Sequence, residues 1–224
     1  VRKEEAMNQK SENLQIMLKT GVVGVIRTKS SEQLLQVAEA IREGGVKCIE
    51  VAMTTPNALE VIEEVAAKLE DVLVGAGTVL DPETARAVIL AGAQYIVSPV
   101  VNFGVIEVAK RYGKIVAPGA FTPTEIINAW EAGADIVKVF PATRVGPQYI
   151  SDLKAPLPQV LLMPTGGVNK DNAADFIRAG ADVICVGSAL IDKKAIAEGR
   201  FEVLTENAKM LIQAVKEGRG GAHV

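Results

Sequence analysis

Two ionisable side chains stand in the middle of otherwise apolar runs: Lys138 within Ile136-Val137-Lys138-Val139-Phe140, and Glu50 within Cys48-Ile49-Glu50-Val51-Ala52. Their β-branched and aromatic neighbours mark both runs as buried strands, where an unpaired charge costs on the order of several kcal/mol. Desolvation works against the charged form of a buried amine, and a neutral amine is a nucleophile toward carbonyl carbon. A carboxylate beside it can move protons as carbinolamine, Schiff base and enamine interconvert. The structural alternative is a buried ion pair, or a lysine that snorkels to one mouth of the fold.

Other chemistries are short of parts. The one histidine, His223, lies in the polar tail Glu217 to Val224, which reads as disordered. A Ser-His-Asp triad is therefore excluded, and a catalytic zinc site would lack its usual imidazole ligands. Cys48 and Cys185 each lie in a strand-like run with no metal-site or disulfide spacing, and read as buried reduced thiols.

A second group of residues suits an anion. "MPTGGV" (163–168) and "VGSAL" (186–190) each follow a strand. Gly166, Gly167 and Gly187 let backbone N–H groups approach a phosphate, and Ser188 precedes a short helix whose N-terminus favours negative charge. Each motif alone also describes a simple turn; together they point to a phosphate site. Thr78 in "GAGTV" offers a pocket hydroxyl or marks a glycine-eased strand end. Arg27, directly after the first strand, is either a carboxylate or phosphate contact or a solvated surface arginine. "FPATRVGPQYI" (140–150) suits a loop over the mouth or an ordinary connection.

These residues need elements to hold them. The chain has 224 residues, 49% of them hydrophobic and only 4% aromatic, which is the palette of a parallel sheet covered by helices. Eight strand-like runs recur: 21–26, 47–53, 72–78, 94–99, 114–120, 135–141, 160–167 and 182–190. Helical patterns separate them, such as 31–45 and 55–70, with Ser or Thr caps at their starts and glycine at their ends. The alternation predicts an α/β fold of the (β/α)₈ TIM-barrel type. "EGGVKCIEVAM", "LAGAQYIVSPV", "EAGADIVKVFP" and "RAGADVICVGS" repeat a helix-ending glycine before strands two, four, six and eight. Five residues on from that glycine stand Glu50, Val97, Lys138 and Cys185, which places all four in one interior layer of such a barrel.

One domain is expected over residues 11–217, with an extra N-terminal helix and disordered ends at 1–10 and 218–224. Met7 is a candidate natural start. The net charge of −3 is spread along the chain and leaves no footprint for nucleic acid or an anionic membrane, and no apolar run reaches the ~18 residues of a membrane span. A small molecule is the expected partner.

Leu14 to Leu190 resembles the family of 2-keto-3-deoxy-6-phosphogluconate (KDPG) and 4-hydroxy-2-oxoglutarate (KHG) aldolases. "GADIVKVFPATRVG" is similar to its Schiff-base lysine segment and "GVKCIEVAMTT" to its catalytic-glutamate segment, with "GAGTV", "VSP", "PTGGV" and "VGSAL" in the family's order. The resemblance implies a cytoplasmic class I aldolase, usually a homotrimer, that uses neither metal nor cofactor. It implies Lys138 as nucleophile and Glu50 as general acid/base. Thr78, Pro99, Phe140 and Thr165 would line the pyruvate pocket, and Gly166, Gly167, Gly187 and Ser188 would cradle phosphate. Thr54, a further substrate-binding position, stands where many members have arginine, which leaves Arg27 as the basic contact. Val100 is expected to narrow the mouth, and Val139 is a modest packing change. The expected reaction cleaves a 2-keto-4-hydroxy acid to pyruvate and an aldehyde. An isomerase or epimerase on the same phosphate-binding scaffold, or a non-catalytic oligomeric scaffold, are the rival expectations.

Overall fold

The computed structural model describes residues 2–27 and 33–220. Its strands are β1 (Val22–Ile26), β2 (Cys48–Ala52), β3 (Leu73–Gly77), β4 (Tyr95–Val97), β5 (Ile115–Ala117), β6 (Gly119–Ala120), β7 (Val137–Val139), β8 (Leu162–Pro164) and β9 (Ile184–Val186). The helices are α1 (Arg2–Thr20), α2 (Leu34–Glu43), α3 (Ala58–Lys68), α4 (Pro82–Leu90), α5 (Phe103–Arg111), α6 (Pro123–Glu131), α7 (Gly146–Lys154), α8 (Ala173–Arg178), α9 (Lys193–Ala197) and α10 (Glu202–Gly218). Strand and helix alternate along nearly the whole chain, as the sequence pattern predicts.

All strand pairs are parallel. One sheet runs β5-β4-β3-β2-β1-β9 and another β6-β7-β8. They are the two parts of one curled sheet. The segment entering β7 donates from Asp135 N to Val116 O at 3.1 Å, Lys138 N donates to Pro118 O at 2.9 Å, and Thr165 bridges Cys185 between β8 and β9. The fifth predicted strand, 114–120, appears as two pieces because Pro118 has no N–H for the ladder.

Helices cover the outside through apolar stripes. In α2 the buried residues Leu34, Val37, Ala38 and Ile41 follow the i, i+3, i+4, i+7 spacing of one helical face. The inside is a separate cluster that includes Val23, Cys48, Leu73, Tyr95, Ile115, Met163 and Val183, and Met17 of α1 closes it at the N-terminal ends of the strands. Arg219, just past α10, donates to the carbonyls of Lys19 at 2.9 Å and Leu18 at 2.6 Å, so the end of the chain caps α1.

Several expectations are corrected. Residues 2–20 form one helix, whereas the sequence reading left 1–10 disordered; Lys10 anchors it through an ion pair with Asp135 at 2.8 Å. In the expected C-terminal tail, Gly218 ends α10, and 221–224 lie outside the described residues. The Thr cap expected at the start of 55–70 does not form: the N-cap residue of α3 is Asn57, with no side-chain hydrogen bond. The Ser31 expected to cap α2 lies outside the described residues. The eighth strand stops at Val186 because Gly187 accepts from Leu190 N and Ile191 N and turns the chain. Of the two readings of 140–150, the structure shows the connection: residues 142–144 are a 3₁₀ turn leading to α7, held by Ala142 N donating to Thr165 O at 2.8 Å.

Candidate active site

The C-terminal ends of the strands open into a cavity of ≈ 370 Å³. Lys138 sits at the centre of β7, between Gly119 of β6 and Met163 of β8, and its position in the register turns it inward. It is 7% exposed, with Nζ 5.0 Å from the centroid of the Phe140 ring. An ammonium over an aromatic face is stabilised without a counter-ion. Glu50, at the centre of β2, is 2% exposed and lines the same cavity.

Burial raises the Glu50 pKa above the ordinary carboxylate range, while the charge of Lys138, a contact from Cys185 and the charge of Arg27 pull partly the other way. The Cys185 thiol donates to Glu50 Oε2 at 3.7 Å. No Lys138–Glu50 ion pair within 4.0 Å forms among the described residues. The two charges share a layer, as the glycine repeat predicts, yet they do not neutralise each other by contact. A carboxyl shifted upward and lining the same cavity as an amine holds its proton more readily than an exposed one, which suits it to give and take protons during a reaction.

Glu50 has room only because Gly77 lies across from it: a Cβ at residue 77 would overlap the carboxylate. Gly77→Ala is therefore expected to push Glu50 out of place, costing ~1–3 kcal/mol by overpacking together with most of the turnover. A melting curve and steady-state rate check this, and an unchanged rate would contradict the position given to Glu50.

Around this pair the cavity takes in Arg27, Thr78, Pro99, Phe140 and Thr165, with Gly166, Gly167, Gly187 and Ser188 along one side. Thr78 adopts φ 60°, an unusual conformation for a β-branched residue. The Thr165 hydroxyl donates to Met163 O at 3.2 Å. Gly167 has φ 74°, and the Asn172 side chain donates to its carbonyl at 2.9 Å, which fixes the loop.

Two expected residues are not brought in. Thr54 is exposed and does not line the cavity, because β2 ends at Ala52 and the chain turns away. Val100 lines a neighbouring apolar hollow that shares Pro99 and Phe140 with the cavity, so it does not narrow the mouth. Sequence reasoning missed Val25, Val168, Ile191 and Lys193, which line the cavity together with Cys185. The interior register already puts Cys185 beside Glu50; Lys193 carried no motif.

The two thiols are inert by burial, which pushes Cys48 up to about 12 and raises Cys185 as well. Among the described residues no group of three or more His, Cys, Asp or Glu is placed to hold a metal ion, and no helix is long and apolar enough to cross a membrane.

Residues 14–206 match the family model described as KDPG and KHG aldolase. The chain belongs to this family. A 2-dehydro-3-deoxy-phosphogluconate aldolase of Treponema pallidum is 35% identical over 195 residues, covering 87% of this family member and 93% of the relative. A 2-dehydro-3-deoxy-6-phosphogalactonate aldolase of Escherichia coli is 34% identical, with 91% and 98% covered. A KDPG aldolase from Legionella pneumophila, solved with pyruvate captured as a covalent carbinolamine, superposes with a TM-score of 0.83 at 27% identity over 89% of this chain and 97% of that one.

Proposed function

We propose that this family member is a class I aldolase that cleaves a 2-keto-4-hydroxy acid to pyruvate and an aldehyde through an imine on Lys138. The preferred substrate class is 2-keto-3-deoxy-6-phosphogluconate, 4-hydroxy-2-oxoglutarate or both, giving glyceraldehyde 3-phosphate or glyoxylate. The observation that carries the reading is a buried lysine and a buried carboxyl with a raised pKa, lining one cavity without forming an ion pair.

The neutral amine of Lys138 adds to the C2 carbonyl, and the carbinolamine loses water to give the iminium. Glu50 takes the C4 hydroxyl proton, the C3–C4 electron pair moves into the iminium, and the aldehyde leaves. The enamine then takes a proton at C3 from Glu50, and water releases pyruvate and restores the amine. Arg27, Thr78, Pro99, Phe140 and Thr165 hold the keto-acid end, and Gly166, Gly167, Gly187 and Ser188 hold phosphate.

The strand pairings support a closed (β/α)₈ barrel as the scaffold. The exposed apolar side chains Val100, Phe103 and Phe121, which line one hollow, support a subunit interface, in keeping with the homotrimer that the resemblance implies. A cytoplasmic setting fits two buried reduced thiols.

Incubation with pyruvate and borohydride is the direct test. One reduced pyruvyl group per chain is expected, and peptide mapping should place it on Lys138. Modification elsewhere, or none, would overturn the mechanism.

A further inference from the structure

We infer that Lys193 is the cation that selects substrates carrying a phosphate monoester at the end remote from the reacting carbonyl. This inference rests on the reading above and adds a residue to its specificity. It starts from the charge inventory of the cavity, where among the described residues Arg27, Lys138 and Lys193 meet one carboxylate, Glu50. Such an excess of cations suits a ligand with more than one negative group.

The two rim cations stand at different ends. Arg27 directly follows β1, whose Val25 pairs with Glu50, and its charge is felt by that carboxyl. Arg27 therefore belongs to the reacting end. Lys193 lies beyond the turn at 187–191, where the N–H groups of Leu190 and Ile191 both donate to Gly187 O. That turn brings Ile191 and Lys193 back to the cavity beside Gly187 and Ser188.

The helix expected after Ser188 does not supply the positive charge. It starts five residues later, and the Asp192 carboxylate already accepts from Lys194 N and Ala195 N at 2.9 Å each. A carboxylate on those N–H groups opposes a second anion there. Of the basic residues around α9, Lys194 lies 4.0 Å from Glu198 and Arg200 is paired with the same carboxylate. Lys193 enters no ion pair among the described residues, and it is the one that lines the cavity. With the glycine N–H groups giving direction, the ammonium supplies the charge that makes phosphate preferable to a hydroxyl.

Calorimetric titration of the full chain with glycerol 3-phosphate, with glycerol as control, tests the inference apart from catalysis. The parent should bind the phosphate ester and not glycerol. Lys193→Met should weaken that binding by ~10-fold, the low end expected for a hydrogen bond to a charged group at an exposed rim, and Lys193→Arg should recover most of it. Arg27→Met should weaken it less than Lys193→Met. In turnover, the ratio of kcat/KM for 2-keto-3-deoxy-6-phosphogluconate over its unphosphorylated analogue should fall by a similar factor in Lys193→Met, mainly through KM. Equal binding by the parent and Lys193→Met, a larger loss from Arg27→Met, or no binding by the parent would overturn the role of Lys193. A parent that binds the phosphate ester through Lys193 but traps no pyruvate would instead sink the aldolase reading and leave the anion site standing.

Discussion

Lys138→Met is expected to form no imine with pyruvate and to lose at least ~10⁴-fold in turnover, while remaining folded. The loss is of that size because the covalent route depends on one amine, and removing a nucleophile leaves only binding and orientation. Met keeps the length and apolar contacts of the lysine stem and brings no charge to desolvate. Lys138 makes no ion pair among the described residues, so the variant should be as stable as the parent or more so by ~1 kcal/mol. Loss of the ammonium also removes the charge that favours an ionised Glu50, and the carboxyl can respond by holding its proton. Thermal melts and single-turnover borohydride trapping measure both effects. A strongly destabilised Lys138→Met would mean that the lysine is structural.

Glu50→Gln should separate imine formation from proton transfer. The amide keeps the shape of the carboxyl and part of its hydrogen bonding, so the trapped adduct with pyruvate should still form, while turnover slows by ~10²–10⁴-fold. The stability of the same variant carries a second signature. Burial raises the folded-state pKa of Glu50 above its unfolded value of about 4.3. The fold therefore favours the protonated carboxyl. Its contribution to stability is fully present below that unfolded value and is lost as pH rises through the folded pKa. The melting temperature of Glu50→Gln minus that of the parent should grow with pH across that window and then level off. A gap that shrinks with rising pH would mean that an ionised Glu50 stabilises the fold, and full turnover in Glu50→Gln would remove it from the mechanism.

The reacting pair was legible because charge inside a β-branched run is costly enough to need a reason, and because the helix-ending glycines set a register that placed Glu50, Val97, Lys138 and Cys185 in one layer. The break at Pro118 was in principle legible, since Pro118-Gly119 interrupts the apolar run from Ile115 to Ala120 and the proline has no N–H for the ladder. Residues 1–10 read as disordered because they are charged, yet from Arg2 on they belong to a helix anchored further along by Leu14, Met17 and Leu18. Thr54 was misplaced by family pattern alone: two residues past the end of β2, the chain has already left the cavity. Lys193 was invisible because its role depends on a turn, and a turn closed by backbone hydrogen bonds to Gly187 leaves no periodic signal.

The seam where β9 pairs with β1 has a consequence for how the molecule is made. Val22 pairs with Ile184, and Arg219 reaches Lys19 across 200 residues of sequence. At ~5–20 residues per second, β1 waits on the ribosome for roughly 8–30 s before its second neighbour emerges. Until then one of its edges is open to other chains, and loop closure over such a distance is slow. The cavity itself straddles this seam, with Arg27 on one side and Gly187, Ser188 and Lys193 of the phosphate end on the other. Ligand recognition is thus the last part of the molecule to be assembled, and a nascent chain that stalls before β9 presents Lys138 and Glu50 without the end of the cavity that would select a substrate for them.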